Sequence, residues 1–191
     1  MELLIVMIII AILFSLSLFA LVGFGESSKL NRFVSDFASR ANTDLSNARN
    51  NVYDQSEIQK VLRFNDDITC SSIGSSDFAP AAIGYTFENN QYSPIKCLAT
   101  QFSATANYCC VKTDLKDGRL EYTDENILIS ASCKSILFEY STGDIMTSKS
   151  GQYSTMLANE DDCVVTIRHG RLGFSKEILF NAKNNAIEIQ Q

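Results

Sequence analysis

Six cysteines, one histidine, an acidic triplet and a lone carboxylate ahead of a long apolar run are the residues of this 191-residue chain whose types and spacing could do chemistry. The cysteines are Cys70, Cys97, Cys109, Cys110, Cys133 and Cys163. No two form a C-x-x-C pair, and with His169 the only histidine the ligand spacing of a zinc site is missing. Disulfide formation is the chemistry that fits, with up to three bridges and an oxidising compartment. Vicinal Cys109 and Cys110 point to opposite faces if they lie on a strand, so each bonds a different partner. Which cysteine pairs with which stays open. His169 stands in Arg168-His169-Gly170-Arg171, a predicted turn between strands, and no GxSxG or other nucleophile accompanies it. Glu160-Asp161-Asp162 lacks the D-x-[DN]-x-[DN]-G alternation of a calcium loop and reads as a solvated acidic loop. The expectation is a non-enzyme with no catalytic residue, metal or cofactor. Glu2 is different, because a carboxylate at the edge of a membrane helix is costly unless paired and so reads as functional.

The elements that must position these residues follow from apolar spacing. Leu3 to Phe24 is an uncharged run of 22 residues, about 33 Å long as a helix and close to the hydrocarbon thickness of a bilayer. It is too long for a signal peptide, its start is acidic, and Gly23-Phe24-Gly25-Glu26 is a poor cleavage site. A membrane helix over residues 1–25 is therefore expected. Beyond it Leu30, Phe33, Val34, Phe37, Ala38, Ala41, Leu45, Ala48 and Val52 recur in steps of three and four. That is one face of an amphipathic helix, with Arg32, Asp36, Arg40, Asp44 and Arg49 on the other side. Ile58, Val61 and Leu62 extend the pattern, so the spine is expected to continue to about Lys60, within a segment 26–64.

From residue 65 to residue 191 the pattern turns to short strands. They are expected at Ala82–Phe87, Lys96–Phe102, Tyr108–Thr113, Ile127–Ile129, Ser135–Tyr140, Cys163–Ile167 and Leu172–Phe180. Lys116-Asp117-Gly118 marks one hairpin turn, and Asn181 to Asn185 marks another before Ala186–Ile189. The predicted fold class is α+β: a long N-terminal helix, half in a membrane and half amphipathic, packed on an antiparallel sheet or sandwich. An apolar content of 46% excludes a wholly disordered chain. A net charge of −6, from 22 acidic and 16 basic residues, argues against a non-specific grip on nucleic acid.

The stretch ELLIVMIIIAIL, Glu2 to Leu13, resembles the mature N-terminus of type IV pilins and type II secretion pseudopilins. The strand-rich C-terminal half looks like the H-type pseudopilins and their minor-pilin relatives. The resemblance implies a pilin-like fold and a structural subunit that assembles through its hydrophobic helix into a pilus or pseudopilus filament. Its partners would be other pilin or pseudopilin subunits, the inner-membrane assembly platform and the prepilin peptidase. Its location would be the inner membrane before assembly and a cell-surface filament after it. Family precursors carry a basic leader ending in Gly, with the glutamate fifth in the mature chain; here Glu2 follows Met1, so a leader and about three mature residues would be absent. The proline common within the hydrophobic helix of major pilins is missing too. Gly170-Arg171-Leu172-Gly173 matches only the first half of the Gly-Arg-x-Arg tail by which some minor pilins hold DNA. The rival expectation is a solitary membrane-anchored β-domain acting as an adhesin or binding module.

Overall fold

The computed structural model describes the backbone of residues 2–52, 78–100, 108–112, 126–140, 142–149 and 161–190, and the side chains of these except at 2–4, 16–22, 78–79, 99–100, 108–109 and 111–112. A single helix, α1 (Glu2–Arg49), opens the chain. Its second part is amphipathic as the spacing requires: Leu30, Phe33, Val34, Phe37, Ala38, Ala41, Leu45 and Ala48 are all buried. Val52 is not; it lies past the helix and is 57% exposed.

The helix stops where an asparagine takes the left-handed conformation. Asn51 has φ 53°, Val52 N donates to Asn47 O at 2.9 Å, and Asn51 N donates to Ala48 O at 3.1 Å. That pair of bonds satisfies the last carbonyls in a Schellman cap. The spine therefore ends at Arg49 rather than near Lys60. Ile58, Val61 and Leu62 lie outside the described residues.

Among the described residues nine strands follow, all paired antiparallel. β1 (Phe78–Glu88), β2 (Gln91–Thr100), β3 (Tyr108–Lys112), β5 (Ser135–Glu139) and β6 (Ile145–Ser148) form one sheet in the order β3-β2-β1-β5-β6. β4 (Ile127–Ala131), β7 (Cys163–His169), β8 (Ser175–Asn181) and β9 (Ala186–Gln190) form a second in the order β4-β7-β8-β9. β1 turns into β2 through Asn89 and Asn90, with φ 52° and 60°, the two-residue geometry whose twist suits a hairpin. The β8–β9 hairpin turns through residues 182–185, where Asn181 Oδ1 accepts from Lys183 N and Asn184 N.

Alternation along the strands decides which face meets the helix. Ile83, Tyr85 and Phe87 of β1, Ile136 and Phe138 of β5, Val165 and Ile167 of β7, and Ile178 and Phe180 of β8 join the buried face of α1 in one cluster. Phe37 is central to it, with ring centroids 4.9 Å from Tyr92 and 5.2 Å from Tyr85. Ala82, Ile95, Cys97, Leu137 and Met146 form a second cluster on the far face of the first sheet.

The expected fold class is corrected. Among the described residues no helix is long and apolar enough to cross a membrane. The side chains described within the apolar run, residues 5–15, make a stretch of about 16 Å, roughly half of a bilayer's hydrocarbon thickness. The amphipathic part of α1 contacts both antiparallel sheets and is the layer that covers them. The β6 strand was not expected, and the Lys116-Asp117-Gly118 turn lies outside the described residues.

Candidate functional site

Two regions of α1 behave differently. From Leu30 onward the helix has a buried face. From Ile5 to Phe14 it has none: Ile5, Val6, Met7, Ile8, Ile9, Ile10, Ile12, Leu13 and Phe14 are each 51–66% exposed. A helix apolar all round is one that something else must cover. Ser15 does not interrupt it, because its hydroxyl is turned back onto Ile12 O at 2.8 Å. Phe24 is 78% exposed. Glu2 opens α1 and Leu3 follows it, with side chains outside the described set.

The root of this apolar rod is tied to the second sheet. His169, the last residue of β7, is 2% exposed. Its Nδ1 accepts from Leu172 N at 3.3 Å, which leaves Nε2 to donate to Glu26 Oε2 at 3.1 Å. Lys29 Nζ holds the other carboxylate oxygen at 3.0 Å. The bond from Lys29, and then that from His169, lower the Glu26 pKa below its usual value. The tie is therefore complete above the ordinary carboxylate range and is lost as pH falls through the lowered value. His169 thus holds the helix in place, and the turn after it, Gly170 to Leu172, joins β7 to β8.

Near the end of the helix, Asp44 is buried instead of lying on the solvated side as expected, and accepts a hydrogen bond from the Tyr85 hydroxyl. Burial, and then the Asp44 carboxylate, push the Tyr85 phenol well above its usual pKa. Burial also raises Tyr92, with Arg40 opposing. Tyr140 is pushed up to about 12, again by burial first and Asp44 second. A raised phenol stabilises the fold below the unfolded-state value of about 10, and that contribution is lost as pH rises from there through the raised folded-state value. We expect alkaline titration followed at the tyrosinate absorbance to show that three of the seven tyrosines ionise late, only as the fold melts. Seven phenols titrating together near pH 10 would show that the cluster is not packed this way.

At its far end the helix is held again. Arg49 Nη2 donates to Asn185 O at 2.7 Å. Asn185 Nδ2 donates to Asp144 Oδ1, and its Oδ1 accepts from Ile145 N, both at 2.8 Å. One asparagine thus joins the helix to a hairpin of each sheet.

Cys97 pairs with Cys110 across β2 and β3, Cα atoms 4.0 Å apart. Cys133, in the connection between β4 and β5, pairs with Cys163 at the start of β7, just beyond the Ala131–Val165 end of the β4–β7 pairing. Cys70 lies outside the described residues, as does the side chain of Cys109 on β3. Of the acidic triplet, Asp161 binds Lys149 at 2.8 Å and Asp162 accepts from Ala182 N; Glu160 is outside the described set. No group of residues with metal-ligand spacing occurs among the described residues. An open cleft of about 240 Å³ lies between the β1–β2 turn and β4, lined by Phe87, Asn90, Ile129, Ser132 and Lys134 among others.

The asparagine cap and the three ties were not expected from the sequence. The Asn50-Asn51 pair is a local stop signal. The Glu26–His169 bond spans 143 positions and the Tyr85–Asp44 bond spans 41, and no local pattern marks either. Comparisons with protein-family models, with curated proteins and with solved structures returned no match.

Proposed function

We propose that this chain is a structural subunit that assembles through its N-terminal helix into a filament, in the manner of type IV pilins and type II secretion pseudopilins. One observation carries the reading: a rod of nine large apolar side chains, each more than half exposed, with no face turned to the chain's own core. Covering it would gain on the order of 10 kcal/mol, at about 1–2 kcal/mol for each half-exposed side chain. Copies of the same rod are a ready cover, because each needs what the other offers. The two disulfides among the described residues fit a place outside the reducing cytoplasm. Glu2, ahead of an otherwise uncharged run, would set the register of neighbouring helices by pairing with a chain-start amine in a dry bundle.

The test compares the full chain with one beginning at Gly25, which keeps the Glu26–His169 tie and every buried helix residue. The full chain should form large sedimenting assemblies and filaments visible by electron microscopy. The shortened chain should stay monomeric, and Ile9→Asp and Glu2→Gln should both reduce incorporation. Filaments made by the shortened chain, or a full chain that stays monomeric in the absence of detergent, would refute the reading.

A further inference from the structure

The geometry points to the β7–β8 turn as an apolar shelf that receives the N-terminal helix of a second copy of this chain. The inference rests on the filament reading above and names a contact it would use. Among the described strands and turns four large apolar side chains are exposed, Leu128, Leu172, Phe174 and Ile189, and three of them gather here. Leu172 and Phe174 lie in the connection itself, 39% and 49% exposed. Leu128 stands opposite Arg168 in the strand pairing, with its side chain beside Gly170. Single exposed apolar residues are ordinary, whereas a cluster marks a surface that meets something.

The shelf is held in shape without a partner. His169 N donates to Phe174 O at 2.8 Å, Gly173 N to His169 O at 3.1 Å and Gly170 N to Asn126 O at 2.6 Å. Leu172 N donates to His169 Nδ1, and Gly173 takes φ 70°, which suits a residue without a side chain. A surface already ordered loses little freedom on binding.

Its position selects the occupant. His169, the strand residue that leads into this turn, grips Glu26 at the root of the exposed rod, so the shelf begins where α1 leaves the sheets. A helix packed along that rod, at the usual interaxial distance of about 8–10 Å, passes this root. The rod of a second copy is apolar on all sides and uncharged from Leu3 to Phe24. It therefore matches the shelf while avoiding the exposed Arg168 and Arg171, which would repel a basic partner.

The test places the photo-crosslinker p-benzoylphenylalanine at position 174 of the full chain. Irradiated assemblies should give a dimer whose crosslink falls, after trypsin, in the peptide of residues 1–29 from the second copy. Leu172→Ser with Phe174→Ser should raise the concentration needed for half-assembly roughly tenfold, the effect of about 1.4 kcal/mol of lost burial. Ile189→Ser, exposed but elsewhere, should leave it unchanged. Crosslinks confined to the strands of the second copy would overturn the shelf. So would unimpaired assembly of the double variant while Ile9→Asp abolishes it, which would leave the filament reading standing. A double variant that loses binding to phosphatidylglycerol vesicles but assembles normally would assign the shelf to a lipid surface and overturn it too. A wild-type chain that never assembles overturns both proposals.

Discussion

Gly84→Ala is expected to abolish the cooperative melt of this protein or to lower its midpoint by about 10–20 °C. Gly84 sits within β1, opposite Leu137 of β5, on the sheet face turned away from the helix. A methyl group there would overlap the Ile136 carbonyl oxygen and stand 2.9 Å from Leu137 Cα. Those are backbone atoms, which no rotamer change can move aside. The five paired residues Ala82 to Thr86 are the seam between β1-β2-β3 and β5-β6, so relieving the overlap means opening the middle of the sheet. Tyr85, the adjacent residue, would carry its bond to Asp44 along with it. A cost of about 4 kcal/mol or more belongs to the extreme tail of single substitutions, against a total stability of about 5–15 kcal/mol. Thermal unfolding followed by circular dichroism reads the effect directly. A midpoint within about 2 °C of wild type would mean that β1 and β5 are not paired in this register.

Removing the Cys133–Cys163 bridge is expected to be the next most damaging change. The bridge spans 30 positions, so its absence returns about 3–4 kcal/mol of chain entropy to the unfolded state. It also loosens the end of the β4–β7 pairing, where the chain passes from one sheet to the other through Ser132-Cys133-Lys134. Both cysteines are buried in the main cluster, so the test uses Cys133→Ala with Cys163→Ala to avoid introducing unpaired hydroxyls. The denaturation midpoint of the oxidised double variant should fall by roughly 7–15 °C in a thermal scan. Mass spectrometry of the non-reduced wild type should find these four paired cysteines closed to alkylation. Wild-type stability in the double variant, or free reaction of Cys133 in the folded protein, would remove the bridge from the account.

How far the sequence disclosed this arrangement depends on the range of the interaction. The eight buried apolar residues from Leu30 to Ala48 were legible because helical spacing is local, and the closing hairpin was legible because asparagines crowd its turn. The helix end was legible in principle: Asn51 adopts the left-handed conformation that asparagine tolerates, but apolar residues beyond it prolonged the apparent pattern. Asp44 read as solvated because its partner Tyr85 is supplied by a strand of the sheet beneath it. The split into two sheets had no local sign at all. β4 and β5 are separated by only Ser132-Cys133-Lys134, a length that would suit a hairpin, yet they pair in different sheets. The apolar run shows the reverse problem. Its hydropathy is plain in the sequence, but hydropathy does not say whether lipid or another helix covers it.

The outer two of the three ties on α1 carry a mechanical consequence. Glu26 is fastened to His169 and Arg49 to Asn185, 23 positions or about 35 Å apart along one rigid axis. Between them the helix lies against both sheets through its whole buried face. A force applied to the exposed end of α1 along its axis would therefore load these contacts in shear and in parallel, so that no single one fails first. A force applied across the axis would instead reach the Glu26–His169 bond first and peel the contacts one by one. The same subunit would resist being drawn lengthwise and yield to being bent, which makes the direction of pull, more than its size, the variable that decides whether the helix stays seated.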